Sequence, residues 1–392
     1  MSARIETQFA FLLEADRLRS IERQNLILDC SRPENSAEHS WHLALYAQVL
    51  APLAGPGVSA ARAIRMLLLH DLVEIDAGDH PIDGNHDWEA VAQAEAAAAE
   101  RLFGLLPADQ GAELKALWHE FEAAESPDAR FAKKLDTCQP IFQTLYGSDP
   151  PDHHKEVVRG NLNGGRAAPL KHSFPEAHAH AVALLDGGAP AVDCTPLTSR
   201  LAFLNAADAL KTVTRATMIG DGTRRENSAE HSWHVMLYAW VLAGHAPFEV
   251  DADRAMQMLL LHDIVEIDAG DVPIHGTADA ADIAEKEEAA ARRLFGLLPP
   301  QEGAAFEALW REFEAAESPE AVFAKSIDRV QPVLLNEITG GGSWIEYDVS
   351  LDQIDRRVGA KVLRGAPDVW HYVRARIKPW FDARTEARFG AE

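Results

Sequence analysis

Four residues with metal-binding side chains occur twice in this sequence at one fixed spacing. In the first half of the chain they are His39, His70, Asp71 and Asp136. The same residue types return 192 positions later as His231, His262, Asp263 and Asp328. Imidazole nitrogens and carboxylate oxygens together suit divalent manganese, iron, cobalt, zinc or magnesium. The sequence therefore predicts one divalent metal ion in each half of the chain and leaves its identity open.

The adjacent histidine and aspartate lie inside an apolar run, which reads LLLHDLVEI in the first half. A single pair of this kind is more often a hydrogen-bonded core histidine beside a capping aspartate than a metal site. Burying its charge is unfavourable unless something compensates it, and a metal ion does so directly. Because the whole ligand set returns at identical spacing, the metal site becomes the preferred interpretation.

The repeated residues belong to a duplication of the chain. The nine residues ENSAEHSWH occupy positions 34–42 and again 226–234, and a run at 66–79 returns at 258–271 with one substitution. A period this long indicates two copies of a domain and excludes a solenoid. We predict a first copy at residues 1–190, a second at 191–392, and a linker at 187–196 that joins them as an intramolecular pseudo-dimer.

Helical periodicity and capping residues predict that each copy is all-α. The His–Asp pair then lies in the last turns of one helix, and His39 lies in the first turn of a helix capped by Ser36. No strand-like alternation occurs, and the proline- and glycine-rich segment 148–174 predicts a loop. In the first copy we predict helices over residues 9–23, 37–53, 60–75, 87–104, 108–124, 127–146 and 176–185.

Composition narrows the choice of partners. The formal net charge of −24 disfavours nucleic-acid polymers, although a small phosphate ester remains compatible with it. The N-terminus has no apolar signal-peptide region, and no apolar window approaches the ~18 residues that a membrane span needs. Three cysteines are scattered and unmatched between the copies, which fits a reduced compartment. We expect a soluble cytoplasmic protein without a membrane partner.

The ordered motifs resemble the HD superfamily of metal-dependent phosphohydrolases, and within it the 5′-deoxynucleotidase group. The resemblance rests on an upstream arginine, the ENSAEHS helix start, the pattern HD-x-x-E-x-x-x-x-D and a late Lys-x-x-Asp, over about residues 8–146 and 200–338. It implies an HD-type helical fold in each copy and one divalent ion on the four ligands. It also implies that the catalytic pairs are Glu74 with Asp79 and Glu266 with Asp271.

Basic residues in both copies are candidates for binding a phosphate group. The resemblance places its substrate-side arginine near Arg23 and Arg215, although the tryptophan that usually follows it is absent here. Guanidinium groups bind phosphate through two parallel hydrogen bonds, and an ammonium group offers a point charge. For each residue alone, a solvated surface role is equally compatible with the sequence. The further candidates are Arg32, Lys133, Arg224 and Lys325.

Histidines outside the ligand set divide into two groups. His42 and His234 are shared by the copies, and we expect them to support a ligand or to lie in the core. A di-iron oxygenase of the same fold would need further shared histidines, and only these two are available. We interpret five unmatched histidines as surface residues, namely His80, His86, His119, His153 and His154.

The function favoured by these residues is hydrolysis of a small phosphate ester, with a 5′-deoxynucleoside monophosphate as first choice. A guanosine tetraphosphate hydrolase or a cyclic-nucleotide phosphodiesterase of the same fold is the alternative enzyme, and a non-catalytic nucleotide sensor is the alternative from another class. The intact acidic pairs argue against the sensor. We expect the second site to be the more active, because the TGGGSW run at 339–344 predicts a flexible loop where the first copy has GSDPPD.

Overall fold

A computed structural model describes residues 3–81, 84, 86–187, 196–276 and 279–389. The predicted linker lies outside these residues except for its two ends, Gly187 and Pro196. Within the described residues the chain is predominantly helical, which confirms the predicted all-α class. None of the described helices combines the length and apolar composition that a membrane span requires.

Besides two 3₁₀-helices, Asp16–Ser20 and Ala51–Leu53, the first copy contains ten α-helices and two short strands among its described residues. They are α1 Ala3–Ala15, β1 Glu22–Leu26, β2 Pro33–Asn35, α2 Ser36–Leu50, α3 Ala60–Leu69, α4 Glu74–Ala77, α5 Trp88–Phe103, α6 Ala108–Ala123, α7 Pro127–Tyr146, α8 Asp152–Gly164, α9 Leu170–Ser173 and α10 Pro175–Leu185.

The second copy repeats this order as far as its long seventh helix and then departs from it. Its elements are α11 Pro196–Ala207, β3 Thr214–Met218, β4 Arg225–Asn227, α12 Ser228–Leu242, α13 Ala252–Leu261, α14 Glu266–Ala269, α15 Ala280–Phe295, α16 Pro300–Ala315, α17 Pro319–Ile338, α18 Gly342–Glu346, α19 Leu351–Ile354, α20 Ala360–Gly365 and α21 Pro367–Phe389. A π-helical turn, Asp355–Gly359, connects α19 to α20.

The start of α2 differs in detail from the sequence prediction. Asn35, and not Ser36, caps the helix, since its side chain accepts from the Glu38 amide while the Glu38 carboxylate accepts from the Asn35 amide. This is a capping box, which satisfies two otherwise unpaired donors. The Ser36 hydroxyl is used elsewhere, because it donates to Glu74 Oε2 at 2.6 Å.

The predicted helix over 60–75 is wrong in its last turn. Helix α3 ends at Leu69, and the backbone then tightens, with the Leu72 amide bonded to the Leu69 carbonyl at 3.0 Å and the Glu74 amide to the Asp71 carbonyl at 2.9 Å. These hydrogen bonds join residues three positions apart, as in a 3₁₀-helix, and replace the bonds between residues four positions apart of an α-helix. The tight turn separates the His–Asp pair from α4, which begins at Glu74.

Two further sequence predictions are wrong for local reasons. Antiparallel strand pairs occur in both copies, but β1 reads ERQNL and pairs irregularly with β2, so it has no apolar alternation to detect. Helix α8 lies inside the segment 148–174 that predicts a loop. Pro150 and Pro151 precede its first residue, where proline is tolerated because a helix start needs no amide donor there.

The two copies share one buried core. Helix α2 is buried along almost its whole length, because it packs against α3 and α7 of its own copy and against α12 of the other. Trp41 on α2 donates to the Leu260 carbonyl at 3.3 Å, and Trp233 on α12 donates to the Leu68 carbonyl at 3.2 Å. The N-terminal helices cross over, so that α1 packs on α12 and α11 packs on α2. Each copy therefore contributes the same surface patch to the interface between the copies.

Candidate metal centres

Three helices bring the first cluster of candidate ligands together. His39 lies in the first turn of α2, His70 directly follows α3, and Asp136 lies within α7. Asp136 Oδ1 is 3.5 Å from His39 Nε2 and 3.8 Å from His70 Nε2. One ligand atom from each residue lies within 4.8 Å of the other two, so one ion can contact all three.

The chemistry of these atoms fits a divalent cation. His70 Nδ1 lies 2.8 Å from the Leu67 carbonyl, which can only accept, so the ring proton is on Nδ1 and Nε2 carries a lone pair. Nε2 of both His39 and His70 is buried without a hydrogen-bond partner among the described residues. A buried lone pair facing a carboxylate is the arrangement that a metal ion completes.

The charge around His39 also favours a cation. Burial and the nearby Arg23 lower the pKa of His39, but the carboxylates of Glu34 and Asp136 outweigh them and raise it to about 9. His70 and Asp71 are close as well, with 3.0 Å between Nε2 and Oδ1. A bound metal ion would take the position that a proton otherwise holds on Nε2 of His39.

The second cluster repeats the first. Asp328 Oδ1 is 3.0 Å from His231 Nε2 and 3.6 Å from His262 Nε2. His262 Nδ1 lies 2.7 Å from the Leu259 carbonyl, and its Nε2 is buried without a hydrogen-bond partner in the described part of the chain. Both copies thus contain a group of side chains able to hold a metal ion.

The second residue of the His–Asp pair is partly engaged by an arginine. Asp71 Oδ2 accepts from Arg23 Nη1 at 2.8 Å and lies 4.0 Å from His39 Nε2. Asp263 Oδ2 accepts from Arg215 Nη1 at 2.7 Å in the same way. Asp71 and Asp263 therefore border the three-residue clusters, each with Oδ1 toward the histidine that precedes it and Oδ2 between the arginine and the other histidine.

The predicted catalytic acids lie beside that arginine. Arg23 Nη1 is 3.8 Å from both Glu74 Oε1 and Asp79 Oδ1. Burial and the charge of Asp71 raise the pKa of Glu74 well above its usual range, and burial raises the pKa of Asp79. A carboxyl group with a raised pKa can hold a proton near neutral pH.

The second copy keeps the same relationship. Arg215 Nη1 lies 3.5 Å from Glu266 Oε2 and 3.6 Å from Asp271 Oδ1. Burial, followed by the charge of Asp263, raises the pKa of Glu266 well above its usual range. Burial also raises the pKa of Asp271. The two acidic pairs therefore have the same electrostatic environment.

A cavity opens onto each cluster. The first has a volume of about 430 Å³ and the second about 290 Å³. Both have the same floor of arginine, acidic pair, histidine and lysine, but their outer walls differ. His80 and Arg166 of the first wall correspond to Val272 and Val358 in the second. Trp344 of the second wall corresponds to Asp152, which is absent from the described lining of the first.

The glycine run of the second copy is not a flexible loop. Gly342–Glu346 forms α18, and its Trp344 is buried against Trp380 and Phe381, with ring centroids 5.2 and 4.8 Å apart. In the first copy the side chain of Asp152 is 98% exposed. The loop-based reason for a more active second site is therefore wrong, and the higher activity of that site stays a prediction.

The predicted phosphate-binding residues separate into two groups. Arg23, Lys133, Arg215 and Lys325 line the cavities. Lys133 donates to Glu122 at 2.8 Å, and Lys325 donates to Glu314 at 2.9 Å, so each lysine already has an acidic partner.

Arg32 and Arg224 lie elsewhere, outside the described lining of either cavity. Arg32 pairs with Glu38 at 2.6 Å and donates to the Lys211 carbonyl of the other copy at 2.7 Å. Arg224 donates to Glu230 at 2.6 Å and to the Arg19 carbonyl at 2.8 Å. Both arginines therefore join the copies, and a role in phosphate binding is not supported by their placement.

The structure also changes the interpretation of several histidines. His80, His153 and His154 line the first cavity, so they are not simply surface residues. The matched positions of the second copy have no histidine because the walls of the two cavities have diverged. His42 and His234 are buried between the copies, with Nε2 3.1 Å from the Leu204 carbonyl and 2.8 Å from the Leu12 carbonyl respectively.

Sequence reasoning missed two buried glutamates and two that line the cavities. Glu34 Oε2 lies 3.2 Å from His39 Nδ1, and Glu226 Oε1 lies 3.5 Å from His231 Nδ1. Both glutamates belong to the repeated nine-residue run, which was a usable signal. Glu95 and Glu287 line the two cavities and have pKa values raised by burial, that of Glu287 to about 7.

The helical fold and the paired histidine–aspartate clusters define a metal-binding protein of the HD type. A model of the HD domain family (HD_3) matches residues 15–178 and 207–370, which is more than half of the chain. The chain therefore belongs to the HD domain family, and the match occurs once in each copy.

The chain is also similar to proteins that are named as 5′-deoxynucleotidases. The chain is 31% identical to "5′-deoxynucleotidase HDDC2" of Homo sapiens over 134 residues, which is 34% of this chain and 64% of the human protein. It is 27% identical to "5′-deoxynucleotidase hdd1" of Schizosaccharomyces pombe, over 34% of this chain and 68% of that protein. The chain thus spans slightly less than two thirds of the human relative.

A solved structure, described as a predicted metal-dependent phosphohydrolase from Magnetospirillum magnetotacticum MS-1, is 43% identical to this chain. The match has a TM-score of 0.45 and covers 47% of this chain and 95% of that one.

Proposed function

We propose that this chain is a divalent-metal-dependent phosphohydrolase with one active site in each copy, and that it releases phosphate from a 5′-deoxynucleoside monophosphate. The observation that carries the proposal is that His70, whose buried Nε2 has no hydrogen-bond partner among the described residues, lines the same cavity as Glu74 and Asp79. The relatives named as 5′-deoxynucleotidases support this choice of substrate.

We assign the metal to the four predicted ligands of each copy. In the first copy they are His39, His70, Asp71 and Asp136, and in the second they are His231, His262, Asp263 and Asp328. A divalent ion there would supply Lewis acidity to a phosphoryl oxygen and to a water molecule.

The surrounding residues then have defined tasks. Arg23 places a positive charge between Asp71 and the acidic pair, where it can bind phosphoryl oxygens. Glu74 is fixed by the Ser36 hydroxyl at Oε2, which leaves Oε1 directed toward Arg23. With its raised pKa, Glu74 can exchange a proton with water or with the leaving oxygen, and Asp79 can orient that water. Arg215, Glu266 and Asp271 perform these tasks in the second copy.

The cavity walls support different molecules at the two sites. The first cavity is larger, and in its wall Arg166 lies 4.5 Å from the centroid of the Trp88 ring. The second is smaller, with Trp344 and Val358 in its lining. Both volumes are of the order of small-molecule sites, about 300–1,000 Å³. We propose that the copies cleave the same kind of bond in substrates of different bulk.

We also propose that residues 1–190 and 191–392 are two domains that act together as an intramolecular pseudo-dimer, in place of a homodimer of a single-copy protein. The reciprocal contacts of Trp41 and Trp233 across the copies support this arrangement. A cytoplasmic location is our expectation for such an enzyme.

One experiment distinguishes these proposals from the alternatives. Purified chain is incubated with a panel of phosphorylated metabolites, with and without manganese, cobalt or magnesium, and phosphate release is measured. We expect metal-dependent release from deoxynucleoside monophosphates. Release of pyrophosphate from guanosine tetraphosphate, or opening of a cyclic nucleotide, would favour the alternative enzymes. Tight nucleotide binding without turnover under every metal would favour the sensor.

A further inference from the structure

A cation of the other copy donates a hydrogen bond to the carboxylate behind each metal-site histidine. Glu34 is fully buried, with Oε2 3.2 Å from His39 Nδ1. Its Oε1 accepts from Lys211 Nζ at 2.7 Å, and Lys211 belongs to the second copy. Lys211 is itself buried and bonds to His42 Nδ1 at 3.0 Å. A residue of the second copy thus lies two contacts away from a predicted ligand of the first.

The reverse arrangement occurs at the second site. Glu226 is fully buried, with Oε1 3.5 Å from His231 Nδ1, and its Oε2 accepts from Arg19 Nη1 at 2.8 Å. Arg19 belongs to the first copy, and its Nη2 lies 2.5 Å from His234 Nδ1. Arg19 and Lys211 occupy matched positions of the repeat. The exchange is therefore reciprocal, although one copy supplies a guanidinium group and the other an ammonium group.

Each cation is held in place by its own copy. Lys211 also contacts Asp208, whose other oxygen accepts from the Leu28 amide at 2.8 Å. Arg19 lies 3.2 Å from Asp16, whose other oxygen accepts from the Gly220 amide at 2.7 Å. Glu34, His42 and Asp208 could by their spacing form a metal site, but the Lys211 ammonium group already contacts all three. This cluster is an ion-pair network and not a third metal centre.

Burial makes the cross-copy cation important for the ligand. A buried carboxylate is stable only when it is paired, and removing one partner of such a pair is strongly unfavourable. A carboxylate behind a metal-binding histidine fixes the orientation of the ring and its ligand nitrogen. Without Lys211, Glu34 Oε1 loses its 2.7 Å hydrogen bond, and Arg23 remains 3.9 Å from Oε2, so the carboxylate holds the His39 ring less firmly.

We propose that Lys211 and Arg19 are positioning residues acting across the copies, so that each metal centre is assembled by both halves of the chain. Lys211 supports the first centre through Glu34, and Arg19 supports the second through Glu226. The inference rests on the proposed metal sites. It predicts that a substitution in one copy weakens the metal site of the other.

The test measures Co²⁺ binding at each site separately. Asp263→Ala leaves the first site intact, and Asp71→Ala leaves the second. In the first background we expect Lys211→Met to weaken Co²⁺ binding by about tenfold or more and to change the cobalt absorption spectrum, as for other residues that support ligands. In the Asp71→Ala background, Lys211→Met should leave the Co²⁺ affinity and the cobalt spectrum unchanged. Arg19→Met should give the opposite pattern.

Matched variants separate charge from packing. Lys211→Arg introduces the residue that the other copy has at this position, and we expect it to restore most of the Co²⁺ affinity at the first site. If Lys211→Met does not fold, Glu34→Gln with Lys211→Met removes both charges of the Glu34–Lys211 pair, while Asp208 keeps its bond from the Leu28 amide. We expect a folded chain whose first site still binds Co²⁺ weakly.

Two results would overturn the inference: equal weakening of both sites by Lys211→Met, or wild-type Co²⁺ affinity at the first site in the double variant. Failure of the proposed metal sites themselves is recognised separately, because the unsubstituted chain would then bind no Co²⁺ at either site.

Discussion

The side-chain amide of Asn35 donates a 2.8 Å hydrogen bond to Glu230 Oε2 in the other copy, and Asn227 donates an equal bond to Glu38. Both asparagines also cap the helix that begins beside them. The ENSAEHS run thus starts the helix that carries a predicted ligand and joins the copies in one motif. Both tasks explain why the two copies of the run are identical.

The duplicated ligand set predicts the metal content of the chain. Metal-replete protein should contain close to two equivalents of divalent ion, measured by elemental analysis after removal of free metal. Asp71→Ala should lower the content by about one equivalent, because it removes a ligand of the first site alone. A replete protein that never exceeds one equivalent would contradict the assignment of one ion to each copy.

The acidic pairs predict a separation of metal binding from turnover. Glu74→Gln combined with Glu266→Gln should leave folding and metal content intact and reduce phosphate release by at least 100-fold, the usual contribution of an acid–base group being about 10²–10⁴-fold. The matched control is Glu100→Gln, on the exposed face of α5. Unchanged turnover in the double variant would remove both glutamates from the mechanism.

How far the sequence predicts this structure depends on the range of the contacts involved. The ligands are predictable because the repeat marks them twice. Periodicity predicts helices α5, α6 and α7 closely, but the helix predicted over 9–23 is wrong in its bounds, since α1 spans Ala3–Ala15. The role of Arg32 is not, because its partners include a backbone carbonyl 179 positions away. The position of His153 in a cavity wall is not predictable either, since it depends on α8. The prolines that precede this helix are typical of a loop.

The interface between the copies predicts how the separate halves behave. Residues 1–190 and 193–392, expressed alone, should be poorly soluble or self-associate, because cutting the chain exposes the apolar faces of α2 and α12. Mixing the halves should produce a one-to-one complex, measured by light scattering after size exclusion. Two well-behaved monomeric halves, each with its full share of activity, would defeat the pseudo-dimer.

The divergent walls predict unequal effects at one matched position. Trp344→Ala should destabilise the chain by about 3–5 kcal/mol, the usual range for removing a buried aromatic side chain. Asp152→Ala, at the matched position of the first copy, should alter the free energy of unfolding by no more than about 0.5 kcal/mol, because that side chain is exposed. Denaturant unfolding measures both. Similar losses at the two positions would contradict the different packing of the walls.

The central claim is that each copy contains its own metal-dependent phosphohydrolase site. The most direct test measures phosphate release from deoxynucleoside monophosphates by four proteins: the unsubstituted chain, Asp71→Ala, Asp263→Ala and the double variant. We expect each single variant to keep the part of the metal-dependent activity that belongs to the other site, and the double variant to have none. Activity in the double variant that persists after chelation of all metal would contradict the account.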